Sequence, residues 1–390
     1  MQNNKKLTIA IAVALGTLSA PAFSAGFQLA EYSATGLGRA FAGEAAMADN
    51  ASAQFRNPAM MTYLEGTQVS VGGIYVAPNI DIDGTNTTLK KATSSNNMAD
   101  GALVPNFYLT HQINQKWTAG LAVGTNFGMS TKLDDNFLGT QFGNEASITT
   151  VEVNPNVAYK INDQFSIGGG VRFVMGEGSI GAKSSMTIKL PAELGGSTVP
   201  SGTTLKYMEG DDTAWGWQAG AAWQLNENNR VGFNYRSEVD LKLEGHANGF
   251  GFNPINPAQK FAGSMELVLP ASAELASFHQ LNKHWALHTS INWTDWSQFE
   301  KLEAHIPALK KPDQLVKQEN WKDSYRFAVG TTYQLDGKTQ LRAGVAWDRS
   351  AVSDANRTLT IPEMDRYWFS VGYGYQFTQN LTLDAGVPIS

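Results

Sequence analysis

Beyond residue 66, apolar and polar side chains alternate with a period of two over long stretches of the chain. In the clearest stretch, from Val231 to Glu244, odd positions are mostly apolar and even positions mostly polar. Successive side chains of a β-strand point to opposite faces, so we expect one continuous strand here with an apolar and a charged face. The pattern recurs at 215–225, 325–335 and 367–377.

Two features favour a membrane-spanning barrel over a soluble sandwich with one wet face, which such alternation also allows. The predicted strands run to about 12–18 residues, whereas soluble strands usually have about 5–6 and a tilted membrane-spanning strand needs about 9–11. Aromatic residues also gather near the strand ends, where a membrane interface would hold them. They are Trp117, Trp223, Trp285, Tyr367 and Trp368. The sequence therefore predicts an all-β fold, a transmembrane up-and-down antiparallel β-barrel.

Short polar turns alternate strictly with long loops rich in Gly, Ser, Asn and Pro. The turns lie at 113–116, 161–164, 226–229, 282–284 and 336–338, and the loops near 80–102, 133–146, 186–212, 245–262, 301–320 and 349–363. This alternation is typical of hairpins with tight periplasmic turns and long outer loops. It predicts a barrel over 67–390. The predicted strands begin near 67, 103, 117, 147, 164, 213, 230, 264, 285, 323, 339 and 364, with the start of a thirteenth at Leu381.

The first 24 residues are predicted to be a cleaved secretory signal peptide. Lys5 and Lys6 form a positive region before an apolar stretch, Leu7 to Leu18, that is too short to span a bilayer as a helix. Small residues at Ala22 and Ser24 place the cleavage before Ala25. The chain is thus expected to be exported to the outer membrane of a Gram-negative cell.

Residues 25–66 do not alternate and lie between the predicted signal and the first strand. Gly36 to Asp49 is typical of short helix and turn, and the segment ends near Asn57-Pro58-Ala59. Such a segment could form a free periplasmic domain or fill the barrel lumen. Its many Gly and Ala residues leave too few large apolar side chains for a core of its own, which favours a hatch, or plug, in the lumen.

Composition and motifs argue against an enzyme, a metal site and a cofactor site. The chain has no Cys, which excludes disulfides and thiolate ligands. His284 and His288 have metal-ligand spacing only on a helix, since four residues span about 13 Å in a strand. The net charge is −6, and no basic run could follow a phosphate backbone, so nucleic acid is not an expected partner.

Several motifs in one order resemble the FadL family, the outer-membrane long-chain fatty acid and hydrocarbon transporters. The stretch from Ala25 to Met61 resembles the mature N-terminus of that family, and Arg56-Asn57-Pro58-Ala59 matches its hatch motif. Further matches are Asn126-Phe127-Gly128, Tyr235-Arg236-Ser237-Glu238-Val239, Trp296-Ser297-Gln298-Phe299, Lys322-Asp323-Ser324-Tyr325-Arg326, Ile361-Pro362 and Asp365-Arg366-Tyr367-Trp368. The resemblance covers essentially all of 25–387.

The resemblance implies a fourteen-stranded barrel with an N-terminal hatch and an internal hydrophobic pocket that opens sideways where the third strand kinks. Gly124 and Gly128 would permit that kink around Asn126 and Phe127, because glycine allows a bulge without a side-chain clash. Phe27, next to the new N-terminus, could lie against an acyl chain.

A partner for a ligand carboxylate is less clearly marked. Lys317 matches a family lysine associated with the ligand head group, whereas the family's companion arginine is replaced by Ala182. Lys183 could substitute, but it should point the other way in a regular strand, and a plain surface role is equally open.

We therefore expect passive uptake of long-chain fatty acids, with no catalysis, no metal and no cofactor. The alternatives are uptake of monoaromatic or other hydrocarbons and, in a different class, a general diffusion porin. Other expected partners are outer-membrane lipid, lipopolysaccharide and the barrel-assembly machinery, and the protein is expected to be a monomer.

The end of the sequence departs from the family pattern, because the resemblance stops inside the thirteenth strand at Pro388-Ile389-Ser390. A barrel of twelve strands and a stub would leave unpaired backbone groups in the bilayer. We favour a C-terminally truncated chain that assembles poorly and transports little or nothing over the alternative, a narrower barrel in which strand one closes onto strand twelve.

Overall fold

The computed structural model describes residues 26–191, 196 and 198–389, so the predicted signal peptide over 1–24 lies outside the described residues. Strands make up most of the described chain and helices are short. The strands are β1 (Thr67–Val76), β2 (Ile82–Asn86), β3 (Lys91–Ser95), β4 (Ala102–Gln112), β5 (Trp117–Gly124), β6 (Gly128–Lys132), β7 (Glu145–Lys160), β8 (Phe165–Lys183), β9 (Ile188–Lys189), β10 (Thr198–Val199), β11 (Thr204–Asn226), β12 (Asn229–Arg236), β13 (Val239–Asn248), β14 (Phe261–Leu269), β15 (Ser272–Gln280), β16 (Trp285–Thr294), β17 (Lys301–His305), β18 (Asp313–Gln318), β19 (Ser324–Gln334), β20 (Thr339–Asp348), β21 (Arg366–Thr378) and β22 (Leu381–Ile389). The helices are α1 (Ala34–Leu37), α2 (Ala53–Arg56) and 3₁₀ turns at Glu44–Ala46, Pro58–Tyr63, Thr140–Phe142 and Trp296–Gln298.

Eighteen of these strands form one antiparallel sheet in which chain neighbours are also spatial neighbours. Five of its strands are interrupted and appear as the pairs β5/β6, β12/β13, β14/β15, β16/β17 and β18/β19. Counting each such pair once gives the twelve predicted strands and the predicted thirteenth, β22. The remaining segments form two small hairpins, β2–β3 and β9–β10. The predicted all-β, up-and-down antiparallel fold is confirmed. Of the helices described, none is long and apolar enough to cross a membrane.

One face of the sheet carries large apolar side chains that are open to the surroundings. They include Val71, Leu103, Trp215, Phe327 and Phe369. Four of the five predicted interfacial aromatics lie on this face. The prediction for Trp368 is wrong, because this side chain is only 3% exposed and packs on the other face. Its neighbour Tyr367 takes the outward position because adjacent residues of a strand alternate in direction.

The predicted continuous strand over 231–244 is also wrong. The strand breaks after Arg236, and Ser237 donates its backbone N–H to the Trp217 carbonyl at 2.9 Å. Before the break Phe233 is exposed, whereas after it Leu241 and Leu243 are buried. The interruption therefore reverses the apolar face. The hydrophobic side chains of β12 lie on the outer face of the sheet, whereas those of β13 belong to an internal apolar cluster.

β11 begins at Thr204, nine residues before the predicted start at 213, and this shortens the predicted loop at 186–212. The reason is its partner: β8 continues to Lys183, and the two strands stay paired from Phe165–Trp223 to Lys183–Thr204. Long-range pairing has here extended a strand into a stretch whose sequence is typical of a loop.

β1 and β22 border a cavity of about 1270 Å³ that residues of the N-terminal segment also line. β1 pairs with β4, and β22 pairs with β21 from Leu381 to Ile389, with Pro388 opposite Ser370. The alternative in which strand one closes onto strand twelve is wrong, because β21 already pairs with β20 on one side and β22 on the other.

Residues 26–64 pack against the face of the sheet opposite the apolar outer one. Most of their side chains are buried, among them Arg39, Phe41 and Phe55. Glycines in the sheet make the close approach possible. A methyl group on Gly232 would overlap the Ala45 carbonyl oxygen, and one on Gly344 would overlap that of Arg39. The segment thus contacts strands from widely separated parts of the chain.

Candidate functional site

The first described residues enter a group of buried rings that we call the aromatic cluster. Its members are Phe27, Phe127, Trp296, Phe299 and Trp321, each at most 5% exposed. The Phe27 ring is the centre, with its centroid 4.7 Å from Trp296, 5.8 Å from Phe299 and 6.0 Å from both Phe127 and Trp321. Edge-to-face pairs at such distances add stabilisation beyond buried area alone.

Aliphatic side chains extend the aromatic cluster into a larger apolar region. They come from β13, β14, β17 and the loop before β21, and include Leu241, Leu269, Leu302, Val352 and Ile361. Together these side chains form an apolar surface that suits a hydrocarbon chain. An acyl chain or another hydrocarbon that packed against these side chains would be removed from water, and no polar group would have to give up a hydrogen bond.

Lys317, the predicted head-group partner, lies at the edge of the aromatic cluster, in the outer part of the sheet. Its Nζ atom donates to Thr358 Oγ1 at 2.6 Å and is 3.3 Å from Glu319 Oε1. The indole N–H of Trp321 donates to the other oxygen of Glu319 at 2.9 Å, which joins the lysine to the cluster. Burial lowers the pKa of Lys317 and raises that of Glu319, while their mutual attraction opposes both shifts.

Sequence reasoning missed Glu319, although alternation already predicts it. Lys317, Glu319 and Trp321 are two residues apart, which is the spacing that puts side chains on one face of an extended chain. The structure brings all three together, with Glu319 only 1% exposed. The lysine is therefore already paired, and a ligand carboxylate would have to share it with Glu319.

Lys183 does not join this site. Its Nζ atom is 3.7 Å from the Oδ1 atom of Asp135, a residue of an outer loop. Among the described residues, no hydrogen bond or ion pair connects it with Lys317 or with the aromatic cluster. The position fits the plain surface role that the sequence left open.

The third strand is interrupted between β5 and β6, and the N-terminal segment fills this break. β5 ends at Gly124 and β6 begins at Gly128, whose N–H donates to the Phe27 carbonyl at 2.9 Å. The Leu29 N–H donates to the Asn126 carbonyl at 2.7 Å. Phe127 turns its ring into the aromatic cluster. Residues 27–29 thus make the backbone contacts that a regular neighbouring strand would have made.

Beside this break the pairing between the second and third strands is incomplete, and we call this unpaired stretch the gap beside β6. β4 pairs with β5 only as far as Phe107 and Val123, and β6 pairs with β7. Within the described residues no pairing joins β6 to the upper half of β4, which continues to Ala102 along β1. The loop before β4 lies there instead, with the Lys132 N–H donating to the Met98 carbonyl.

A buried charged triad connects the break to the N-terminal segment. Glu152 on β7 accepts from Arg172 on β8 at 3.0–3.2 Å and from Arg236 on β12. The Asn126 amide donates to the same carboxylate at 2.7 Å, and Arg236 donates to the Phe55 carbonyl at 2.6 Å. Sequence reasoning gave this triad no role, because its members lie up to 84 residues apart.

The hatch motif forms a rigid turn that binds backbone on two sides. Asn57 donates through its amide to the Ala45 and Ala221 carbonyls at 2.7 and 3.0 Å and accepts from the Ala59 N–H at 3.0 Å. Pro58 begins the 3₁₀ turn, a position that suits its fixed φ. Asn57 thus caps the 3₁₀ turn and also bridges to the backbone of β11.

The other two residues of the motif also face inward. Ala59 is fully buried and, with Pro58, fits against Gly168 of β8, where a side chain on that glycine would clash. The Arg56 guanidinium lies 4.7 Å from the centroid of the Tyr32 ring, a cation–π contact within the segment.

An antiparallel sheet with an apolar outer face, together with an internal apolar site and a buried N-terminal segment, defines an outer-membrane transport protein of the β-barrel class. Comparison with known proteins narrows this class to one family. Residues 15–389 match the model of the family described as outer membrane protein transport protein (OMPP1/FadL/TodX), and the chain belongs to this family. Its members are transport proteins of the outer membrane and not enzymes.

Individual relatives agree with this assignment. A long-chain fatty acid transport protein of Salmonella typhi is 35% identical over 97% of this chain and 90% of its own length. Outer membrane protein P1 of Haemophilus influenzae is 36% identical over 98% of this chain and 89% of its own length. The crystal structure of a Pseudomonas aeruginosa FadL homologue superposes with a TM-score of 0.78 at 26% identity, covering 93% of this chain and 90% of that one.

Proposed function

We propose that this protein takes up long-chain fatty acids or similar amphipathic hydrocarbons passively across the outer membrane. The observation that carries the proposal is the aromatic cluster around Phe27, with a charged Lys317 at its edge. The apolar region suits a hydrocarbon chain, and the lysine suits a carboxylate head group. The relative from Salmonella typhi, named a long-chain fatty acid transport protein, supports the same substrate class.

The proposed route runs from the aromatic cluster to the gap beside β6. Residues 27–29 separate the two, since Phe27 lies in the cluster and its carbonyl is bonded to the break at Gly128. Withdrawal of this short stretch would vacate space in the cluster and free the break in one movement. A ligand could then leave sideways into the membrane, while residues 30–64 stay in place and keep the lumen filled.

A reversible disulfide tests whether residues 27–29 have to move. Gln28 and Phe127 form an isolated antiparallel bridge. Such partners have Cα atoms about 4.5–5.5 Å apart, within the range that a disulfide spans. The chain has no cysteine of its own, so Gln28→Cys with Phe127→Cys gives one defined crosslink.

We expect the oxidised double variant to lose at least tenfold in the rate of oleate uptake by cells, and the reduced variant to recover most of it. The reduced protein is the matched control, because it carries the same two substitutions. Equal uptake by the oxidised and reduced forms would contradict the proposed route.

A further inference from the structure

Glu363 is a buried carboxyl group without a cationic partner in the described part of the chain. It lies in the outer loop between β20 and β21 and is 2% exposed. Its Oε1 atom accepts the Ala351 N–H at 3.1 Å. The Gly26 N–H also donates to the carboxyl group and the Ser350 hydroxyl interacts with it more weakly, and both contacts lower its pKa. The second oxygen, Oε2, has no hydrogen-bond partner among the described residues, and none of their cationic groups is within ion-pair distance of Glu363. Buried carboxylates usually have hydrogen bonds to both oxygens or a cationic group beside them.

Gly26 is held in place beside this carboxyl group. Its φ of +73° is one that glycine adopts easily, and an added Cβ would lie 2.7 Å from the Trp296 ring. The next residue, Phe27, is the centre of the aromatic cluster. The group that precedes Gly26 in the mature protein is therefore close to Glu363 by covalent geometry alone.

Predicted cleavage before Ala25 would make that group a free α-amine. Consecutive backbone nitrogens are about 3–4 Å apart, so the Ala25 amine would lie within reach of a carboxyl group that already binds the Gly26 N–H. An α-amine has a pKa near 8 and is mostly protonated at neutral pH. In the uncleaved chain the same nitrogen is a neutral amide.

We propose that Glu363 is the binding site for the α-ammonium group that signal-peptide cleavage creates at Ala25. The proposal rests on the predicted cleavage position and is independent of the transported ligand. The ion pair fixes the start of the hatch and thereby holds Phe27 in the aromatic cluster. Only the processed protein has this contact, so cleavage completes the site.

The surroundings of Glu363 are consistent with a missing cation. Burial raises the pKa of Glu363 to about 7, and the carboxylate of Asp348 acts in the same direction. The charged groups nearby are Asp348 on β20, Arg366 on β21 and Arg357 in the loop. Arg357 donates to the backbone carbonyl of Glu363, not to its carboxyl group. An α-ammonium ion would favour the ionised carboxylate and return the pKa towards its usual range.

The test measures the α-amine of the mature full-length protein in detergent. After N-terminal sequencing, the protein is acetylated at pH 7 and the N-terminal peptide is followed by mass spectrometry, since only the unprotonated amine reacts. Loss of the ion pair should lower the pKa of the amine by about one unit, so we expect Glu363→Gln to be labelled about tenfold faster than wild type. Glu300→Gln, an exposed carboxyl in an outer loop, should be labelled like wild type.

A second variant keeps Glu363 intact in case Glu363→Gln fails to fold. One alanine inserted between Ala25 and Gly26 moves the α-ammonium group one residue away and should speed labelling to a similar extent. Combining the insertion with Glu363→Gln should add little. A mature N-terminus other than Ala25, equal labelling of wild type and Glu363→Gln, or full additivity of the two changes would overturn the proposal.

Discussion

At the scale of single residues, Lys317 shows how neighbours limit what a charged side chain can bind. Its ammonium group is shared between Glu319 and a threonine hydroxyl, and both charges are partly buried. Removing one partner of a buried ion pair destabilises the protein by more than the intact pair stabilises it, because the remaining charge is then buried without a partner. A ligand carboxylate that replaced the contact with Glu319 would therefore have to enter as Glu319 takes up a proton. The raised pKa of Glu319 makes that proton uptake easier.

Substitution of Lys317 by alanine should distinguish a head-group contact from simple packing. A charge-assisted hydrogen bond contributes about 1.5–3 kcal/mol, so Lys317→Ala should weaken binding of a long-chain fatty acid at least several-fold. An uncharged alcohol of equal chain length should lose little. Titration of the purified protein with fluorescent analogues of both ligands measures this difference. The exposed Lys311→Ala is the control, and equal losses for acid and alcohol would show that Lys317 does not contact the carboxylate.

At the scale of elements, the position of residues 26–64 depends more on close backbone contacts with the sheet than on buried apolar area. Glycines of the sheet receive its carbonyl groups, and the Asn57 amide donates to the Ala45 and Ala221 carbonyls on opposite sides. A hydrogen bond contributes about 0.5–1.5 kcal/mol net, so these two bonds help to fix the position of the turn.

Asn57→Ala should therefore impair oleate uptake while leaving the sheet assembled. The substitution removes both hydrogen bonds that the Asn57 amide donates but leaves every strand residue unchanged. Uptake by cells is measured together with the shift in electrophoretic mobility on heating, which reports barrel assembly. Pro58→Ala, which frees φ, should act in the same direction but more weakly. The surface variant Asn256→Ala is the control, and wild-type uptake by correctly assembled Asn57→Ala would refute a role for the turn.

At the scale of the whole molecule, the burial of residues 26–64 against the sheet argues against a diffusion porin. A porin needs an open polar lumen, whereas here a buried segment contacts strands from both ends of the chain. Arg39, fully buried, illustrates this, since it pairs with Glu44 and Asp49 inside the segment while its carbonyl packs on β20.

Liposomes that contain the protein should accordingly swell in small sugars no faster than protein-free liposomes. The same preparation should bind a long-chain fatty acid that sugars do not displace. Swelling is followed by light scattering, with a general porin reconstituted in parallel as the positive control. Rapid swelling in arabinose would favour the porin alternative.

The local pattern of the sequence determined the strands and their order. Alternation with a period of two, interrupted by turn residues, predicted the starts of most strands within a few residues. The exceptions are β11 and the pair β18/β19, which begins at Asp313 and not near 323 because β18 pairs with β17 inside the predicted loop at 301–320. The physical reason is that side-chain direction in a strand depends only on neighbouring residues. The resemblance to a family also singled out Phe27, Asn57, Lys317 and the glycines of the third strand as candidate site residues.

Tertiary structure decided every contact between residues far apart in the chain. It placed Trp368 inside, reversed the faces after Arg236, and paired Lys317 with Glu319. It also joined Glu152 to two arginines and brought Glu363 to Gly26. None of these depends on local periodicity, because each needs a strand register or a loop path that the rest of the sheet imposes. The sequence by itself thus determined where most strands form. The packing of strands and loops that are distant in the chain determined which charged side chains are buried and which partners they have.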